Sequence, residues 1–492
     1  MRVDRRKGMT DWGITSTYIG NRRELFWEET LIDKSRTTAS LMLHHPRIED
    51  VIMHYDSPWE GRHSGYIQIF QDGDLYRMYY RGGCSGEDHD NMMICYAESK
   101  DGFHWEKPNL GICEFEGSYD NNIIMDTRTN DIDDSCYVFK DENPDCPAEE
   151  KYKSISLNFE TGYLECQTSP DGIHFKKGWQ ITKAGRFDTR NVVFWRAEEK
   201  QYLLYVRDLH ARAGKDEPYD YVRDVRWLTS PDFKNWSEAT ILDFKDSEDI
   251  ELYTNEIMQY PRAPHMFIGF PVRYRERGTW TPSYDQLTGQ KIRKERCGGS
   301  EVRLGLAITD NVFMCSRDGR SFYRYDEAFM RPGIERETNW IYGDGYIAYA
   351  LLETKSPLAF APDEFSMYCG EVSEEAYTEG VEKSHIQLRR YTIRKDGFAS
   401  MHAPYGERKV YTKPIQFKGN KMELNFSTSA QGYVYVKVMG YQRKTLMSYE
   451  LFGDSIDRLV CFDGDLAEFE GQDVILEFTM RDADIFSYRF FE

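Results

Sequence analysis

Apolar and aromatic positions along the chain come in short runs broken by Gly, Asp, Asn and Pro: GYIQIF from Gly65, YRMYYR from Tyr76, NVVFW from Asn191, YLLYVR from Tyr202, MFIGFPVRY from Met266 and YIAYALL from Tyr346. Runs of this length and composition predict many short strands joined by turns. Five run-ends share the pattern S-x-D-G-x-x-aromatic: Ser99 to Trp105, Ser169 to Phe175, Ser230 to Trp236 with Phe233 in place of Gly, Ser316 to Phe322, and the weaker Arg394 to Phe398. The turn positions 102, 172, 233, 319 and 397 are separated by 61 to 86 residues, room for one four-stranded sheet per interval. Repeated units that cannot bury both faces alone predict a propeller, here of five blades over residues 31–400. Each Asp-Gly pair is expected to form a tight two-residue hairpin with positive φ, its following aromatic packing on the next sheet.

The pattern changes near residue 400. Thr412 to Phe417, Met422 to Phe426, Tyr433 to Val438, Val474 to Phe478 and Phe486 to Phe490 alternate inward and outward, which predicts a compact β-sandwich over 401–492. Residues 1–30 read as an N-terminal extension, and the fold class as all-β.

Charge narrows the partners. With 63 Lys+Arg against 83 Asp+Glu the net charge is −20, which disfavours nucleic acid and anionic membrane surfaces. No apolar run approaches the roughly 20 residues that span a bilayer, and the charged start lacks the apolar stretch of a secretory signal, so a cytoplasmic location is expected. The ten cysteines are solitary, with no CxxC pair, which predicts free thiols and neither a zinc site nor disulfides. His44, His45 and His54 read as packed or solvent-facing imidazoles rather than ligands, so no metal and no cofactor is expected. The G-x-S-x-G, G-x-x-x-x-G-K-[ST] and H-E-x-x-H motifs are missing, which disfavours a serine hydrolase, a P-loop enzyme and a zinc protease. Composition leaves room for a homo-oligomer.

In a propeller the first strand of each blade lines a central funnel, so acids at the starts of those strands converge. The five openings are Tyr55 to Gly61, Asp131 to Ser135, Gly185 to Trp195, Glu251 to Met258 and Ile334 to Trp340. Each carries an acid. The order of Tyr55-Asp56-Ser57-Pro58-Trp59-Glu60-Gly61, Phe187-Asp188-Thr189-Arg190-Asn191-Val192-Val193-Phe194-Trp195 and Asn255-Glu256-Ile257-Met258 resembles the five-bladed glycosidases of glycoside hydrolase families 32, 43 and 68. The family-32 segments read W-M-N-D-P-N-G, F-R-D-P-x-V-F-W and W-E-C-P-D, and none is intact here. A trailing sandwich also agrees with family 32.

The resemblance implies Asp56 as nucleophile or base, Asp188 as the carboxylate that holds the sugar, and Glu256 as general acid, with Glu60, Glu251, Glu335 and Glu337 as substitutes for the acid. Glycoside cleavage needs one protonated and one ionised carboxyl, and acids sharing a funnel raise one another's pKa. Trp59, Trp195, Tyr253 and Trp340 could stack on a sugar, although blade packing accounts for them equally well. Arg81, Arg190, Arg207, Arg262 and Arg273 could bind an anionic group or pair with the acids, while Glu60 and Glu335 complete the expected substrate contacts. The expectation is a hydrolase acting on a terminal furanose-like or acidic sugar of a short glycan. A phosphorylase resembling family 130 and a non-catalytic glycan- or protein-binding propeller are the alternatives.

Overall fold

A computed structural model describes residues 15–492 except 62, 84–91, 131, 133–134, 213–220, 246, 300–301, 335–338, 374–384 and 441–443. The chain divides into two compact units, residues 46–258 with 267–393, and residues 1–45 with 259–266 and 394–492. The expected boundaries at 31 and 401 therefore fall at 46 and 394.

The larger unit is a five-bladed β-propeller. Blade 1 runs Gly65–Asp72, Leu75–Gly83, Met92–Ser99, Ile123–Asp126. Blade 2 runs Tyr137–Lys140, Tyr152–Leu157, Leu164–Ser169, Lys176–Thr182, and blade 3 Val192–Arg196, Gln201–Ala211, Tyr221–Ser230, Thr240–Ile241. In blade 4 the second strand is broken at Pro271 into Phe267–Gly269 and Val272–Glu276, both antiparallel to Ala307–Ser316. Proline has no N–H to give to the ladder, which explains the break. Blade 5 opens at Tyr346–Ile347, not at the expected 334–340, and continues through Leu352–Thr354, Glu364–Val372 and Ile386–Ile393. Its outer strand is Arg47–Tyr55, which pairs antiparallel with Ile386–Ile393 and so closes the ring with residues from before blade 1. Middle strands such as Leu164–Ser169 are buried at every position, because a blade is covered on both faces by its neighbours.

Four of the five repeated turns are built alike. The Asp carboxylates of Asp101, Asp171, Asp232 and Asp318 each accept the N–H groups two and three residues on, at 2.8–2.9 Å. The preceding Ser hydroxyl accepts the Asp N–H in each case, at 3.2–3.3 Å. These are side-chain-capped bends rather than two-residue hairpins, and only the second residue takes positive φ: 80° at Gly102, 81° at Gly172, 63° at Phe233 and 71° at Gly319. Glycine is needed for a second reason. A Cβ on Gly172 would lie 2.7 Å from the Tyr79 hydroxyl of blade 1, which donates to the Gly172 carbonyl at 2.9 Å. Tyr205 does the same to Gly319 (2.8 Å) and Tyr368 to Gly102 (2.9 Å), so the repeat is a blade-to-blade lock. The fifth copy differs: Asp396 is buried and belongs to the smaller unit.

In the smaller unit, Lys421–Met439 and Ile475–Phe491 pair from end to end in one eight-stranded hydrogen-bonded sheet. Glu24–Leu25 and Ser40–Leu43 join that sheet, and Thr17–Gly20 runs parallel to Ile415–Phe417, so the described part of the expected N-terminal extension is integral to this unit. Its core includes Phe26, Leu424, Val436 and Phe478. Asp396 accepts from Tyr260 Oη (2.5 Å), Ser487 Oγ (2.6 Å), Asn425 Nδ2 (3.2 Å) and Arg23 Nη1 (3.4 Å), and pairs with Arg262 Nε at 3.2 Å.

The nine described cysteines are free thiols; Cys84 lies outside the described residues. No described helix is long and apolar enough to cross a membrane. Among the described residues no three His, Cys, Asp or Glu side chains converge to hold a metal ion.

Candidate active site

A cavity of about 600 Å³ opens within the propeller, lined from blade 1 by His63 to Ile67 and Arg81, from the blade 3 opening by Arg190, from the blade 4 opening by Tyr253, Thr254 and Glu256, and from blade 5 by Ile341 to Gly343, Tyr346 and Ile347. Between the second and third strands of blade 4 the chain forms the helices Pro282–Gln286, Gln290–Gly298 and Arg303–Leu306, and Ile292, Glu295, Arg296 and Leu304 of this insertion also line the cavity.

Glu256 sits at φ 44°, in the left-handed region that costs a non-glycine residue free energy and is held only where the surroundings require it. Its side chain is buried, and burial raises its pKa above the usual carboxyl value, opposed by Arg190 and a bond from Thr254. Arg190 is equally buried. Its Nη1 donates to Glu256 Oε2 at 3.1 Å and to the Ile67 carbonyl at 2.7 Å, while Nε and Nη2 have no hydrogen-bond partner. Both nitrogens are buried, and Arg190 is among the residues that line the cavity. Tyr66 is also left-handed (φ 45°), and its ring lies 4.7 Å from the Arg81 guanidinium. Arg81 Nε donates to the His63 carbonyl at 2.5 Å, and Tyr342 Oη to Tyr253 Oη at 3.0 Å. The described lining thus carries Arg81, Arg190 and Arg296 against Glu256 and Glu295.

Of the residues singled out in the sequence, Glu256, Arg81, Arg190 and Tyr253 meet at this cavity. Asp188 is exposed and paired with Arg207; burial lowers the Arg207 pKa, with Tyr253 and Tyr66 of the lining among its electrostatic neighbours. Asp56 does not line the cavity. It lies 3.7 Å from Lys107, which bridges to the buried Glu60 at 2.7 Å, and Glu60 in turn accepts from Tyr80 at 2.5 Å. Trp59 packs against Phe115 and donates to Asn122 (2.8 Å), and Trp195 packs on Tyr202, so both serve blade packing. Trp340 donates to the Gly333 carbonyl at 2.9 Å, beside the lining residue Ile341. Arg262 belongs to the smaller unit, Arg273 pairs with Asp310 and Glu251 with Arg223. Glu335 and Glu337 lie outside the described residues. Sequence reasoning missed Tyr66, Tyr342 and Tyr346, and the helical insertion altogether. The signals present were the Gly343-Asp344-Gly345 turn before the blade 5 inner strand and the helix-face spacing of Ile292, Glu295, Arg296 and Gly299.

No protein-family model matches the chain. An uncharacterized protein of Mycobacterium tuberculosis, Rv1502, is 30% identical over 121 residues, which cover 23% of this chain and 33% of that protein. The matched stretch therefore spans about a third of the length of the curated relative. Similar solved structures include a glycoside hydrolase (TM-score 0.43, 11% identity, 71% of this chain and 92% of that one). A second is a family 43 arabinoxylan arabinofuranohydrolase from Bacillus subtilis in complex with cellotetraose (TM-score 0.41, 10% identity, 88% and 96%). A third represents the family 130 mannoside phosphorylases, which contain glycoside hydrolases that target β-1,2 mannosidic linkages in Candida mannan (TM-score 0.39, 12% identity, 71% and 94%).

Proposed function

We propose that the protein is a glycan-processing enzyme, a glycoside hydrolase that takes a terminal sugar of a short glycan into the propeller cavity. The observation that carries this reading is Glu256: a buried carboxyl of raised pKa, beside an arginine with unmade N–H bonds, at the edge of a cavity of sugar size. Burial shifts the Glu256 pKa upward, the direction that a proton donor to a departing glycosidic oxygen needs. Arg190 holds it in place through Nη1. Asp188, the sugar-holding carboxylate of the expected pattern, pairs with Arg207 and is not among the residues that line the cavity. Three guanidinium groups in the lining of a chain of net charge −20 favour a sugar bearing a carboxylate.

The same arginines favour a second reading, phosphorolysis, in which phosphate replaces water. The test is a screen of chromogenic glycosides and natural oligosaccharides, including uronic acids, with and without inorganic phosphate. Release of sugar without phosphate supports hydrolysis; release that requires phosphate supports the second reading; no release in either arm overturns both.

A further inference from the structure

We propose that Glu295, on the helix inserted in blade 4, is the carboxylate that activates water for the reaction in this cavity. The inference rests on reading the cavity as a glycoside hydrolase site and supplies the ionised partner that Glu256 needs. Among the described residues, Glu256 and Glu295 are the two that bring carboxyl groups into the lining. Asp56 is engaged by Lys107 outside the lining, and Asp188 by Arg207.

The helix Gln290–Gly298 is placed for this. Ile292, Glu295 and Arg296, spaced i, i+3 and i+4, form one face and border the cavity, as does Gly299 just past the helix end. The helix is pinned to the segment leading into blade 5: buried Arg293 donates through Nη2 to the Trp340 carbonyl (2.8 Å) and the Thr288 carbonyl (3.2 Å), and Arg296 through Nη1 to the Tyr342 carbonyl (2.7 Å). Two arginines thus spend donors on backbone carbonyls next to the lining residues Ile341 and Tyr342, which fixes the helix face that carries Glu295. The Glu295 side chain is exposed and makes no hydrogen bond or ion pair with another described residue. A carboxyl at a cavity wall with no partner among the described residues has its oxygens open to water.

The step balances as follows. Glu295 accepts a proton from a water molecule as the water oxygen bonds to the anomeric carbon. The glycosidic C–O bond breaks with its electron pair on the leaving oxygen, which takes the proton of Glu256. Sugar and alcohol leave, Glu256 is ionised and Glu295 protonated, and exchange with solvent restores both. Water attack in one displacement inverts the anomeric centre.

The test uses the full chain, with E295A, E295Q and E256Q, on 4-nitrophenyl glycosides of furanoses, neutral pyranoses and uronic acids and on natural oligosaccharides. The expected result is that wild type turns over at least one substrate with inversion seen by proton NMR. E295A and E295Q should lose about 100-fold or more on nitrophenyl and natural substrates alike, with melting temperatures unchanged. Azide should restore turnover of E295A and give the glycosyl azide of inverted configuration, which a purely structural role would not produce. If wild type is active and E256Q impairs natural substrates, but E295A stays within about threefold of wild type or azide rescues nothing, the Glu295 assignment falls while the reading of the cavity stands. Retention, or turnover that requires phosphate, also overturns the water-activating role. If wild type turns over none of the panel, both fall together.

Discussion

Two of the buried arginine–carboxylate centres among the described residues are finished to different degrees. In the smaller unit Asp396 is met by Tyr260, Ser487, Asn425, Arg23 and Arg262, and its backbone carbonyl accepts the Trp27 indole N–H at 2.8 Å. In the propeller Glu256 has Arg190 for its charged partner, and Arg190 keeps two donors unmade beside a cavity. A buried polar group left short of partners costs free energy, so it persists where something other than stability maintains it. The first centre is saturated within the fold, and the second is the one that the proposed function assigns to a ligand.

The largest effect that could break this contrast is on turnover. Glu256→Gln is expected to slow natural oligosaccharides by about 10³-fold while sparing nitrophenyl glycosides, whose leaving group needs no proton. Because burial raises the Glu256 pKa, the proton is present below that pKa and lost as pH rises through it, so the alkaline limb of the rate profile on natural glycosides should vanish in the variant. The same sign makes the ionised form the less stable one in the fold. Neutral Gln should therefore leave the melting temperature level or higher.

Asp396→Ala should do the reverse to stability. It removes the acceptor of a buried cluster and should cost about 3 kcal/mol or more in urea unfolding. Equal destabilisation by E256Q and D396A would abolish the distinction. A smaller loss, about 1–3 kcal/mol, is expected for Gly172→Ala, where φ is 81° and the new Cβ would lie 2.7 Å from Tyr79 Oη. That variant sharpens the contrast if stability falls and the affinity for sugar does not.

The smallest effect concerns His210, another saturated group, held by Asp224 at 2.9 Å and Asp249 at 3.1 Å. Burial lowers its pKa, but the two carboxylates outweigh this and raise it above 6.5. Its contribution is then complete below pH 6.5 and lost as pH rises through the higher folded value. Melting temperatures of wild type and His210→Gln measured from pH 6 upward should converge with rising pH.

What the sequence revealed and what it concealed divide along the range of the interaction. Four of the five blades were legible because the Ser-x-Asp bend is local: the carboxylate of Asp101 or Asp171 reaches N–H groups two and three residues on. The fifth copy shows the limit, since the same Arg-Lys-Asp-Gly-Phe letters place Asp396 among Arg23, Asn425 and Ser487. The openings expected for blades 1, 3 and 4 run into the observed strands Gly65–Asp72, Val192–Arg196 and Met258–Gln259, and Glu256 came with them, while the blade 2 acids Asp131, Asp133 and Asp134 lie outside the described residues. Blade 5 opens at Tyr346 behind the Gly343-Asp344-Gly345 turn, past the expected opening at 334–340. Asp56 matched the resemblance in position, yet its electrostatic partner, Lys107, is supplied from a distant loop that the motif does not include. The helix Gln290–Gly298 is short and strongly charged, and its anchors are carbonyls of Thr288, Trp340 and Tyr342, which side-chain patterns cannot disclose.

The outer strand of blade 5 ties assembly of the ring to the order of synthesis. Arg389 donates to the Glu49 carbonyl across 340 residues of sequence. At about 5–20 residues per second a ribosome needs on the order of tens of seconds to supply that partner. For that interval Arg47–Tyr55 is a strand whose edge has no mate, open to chaperones or to other chains. A circular permutant that begins after Tyr55 would cut the separation of Arg389 and Glu49 to about half, and its yield of soluble protein, compared with the natural order, would measure how much the wait costs.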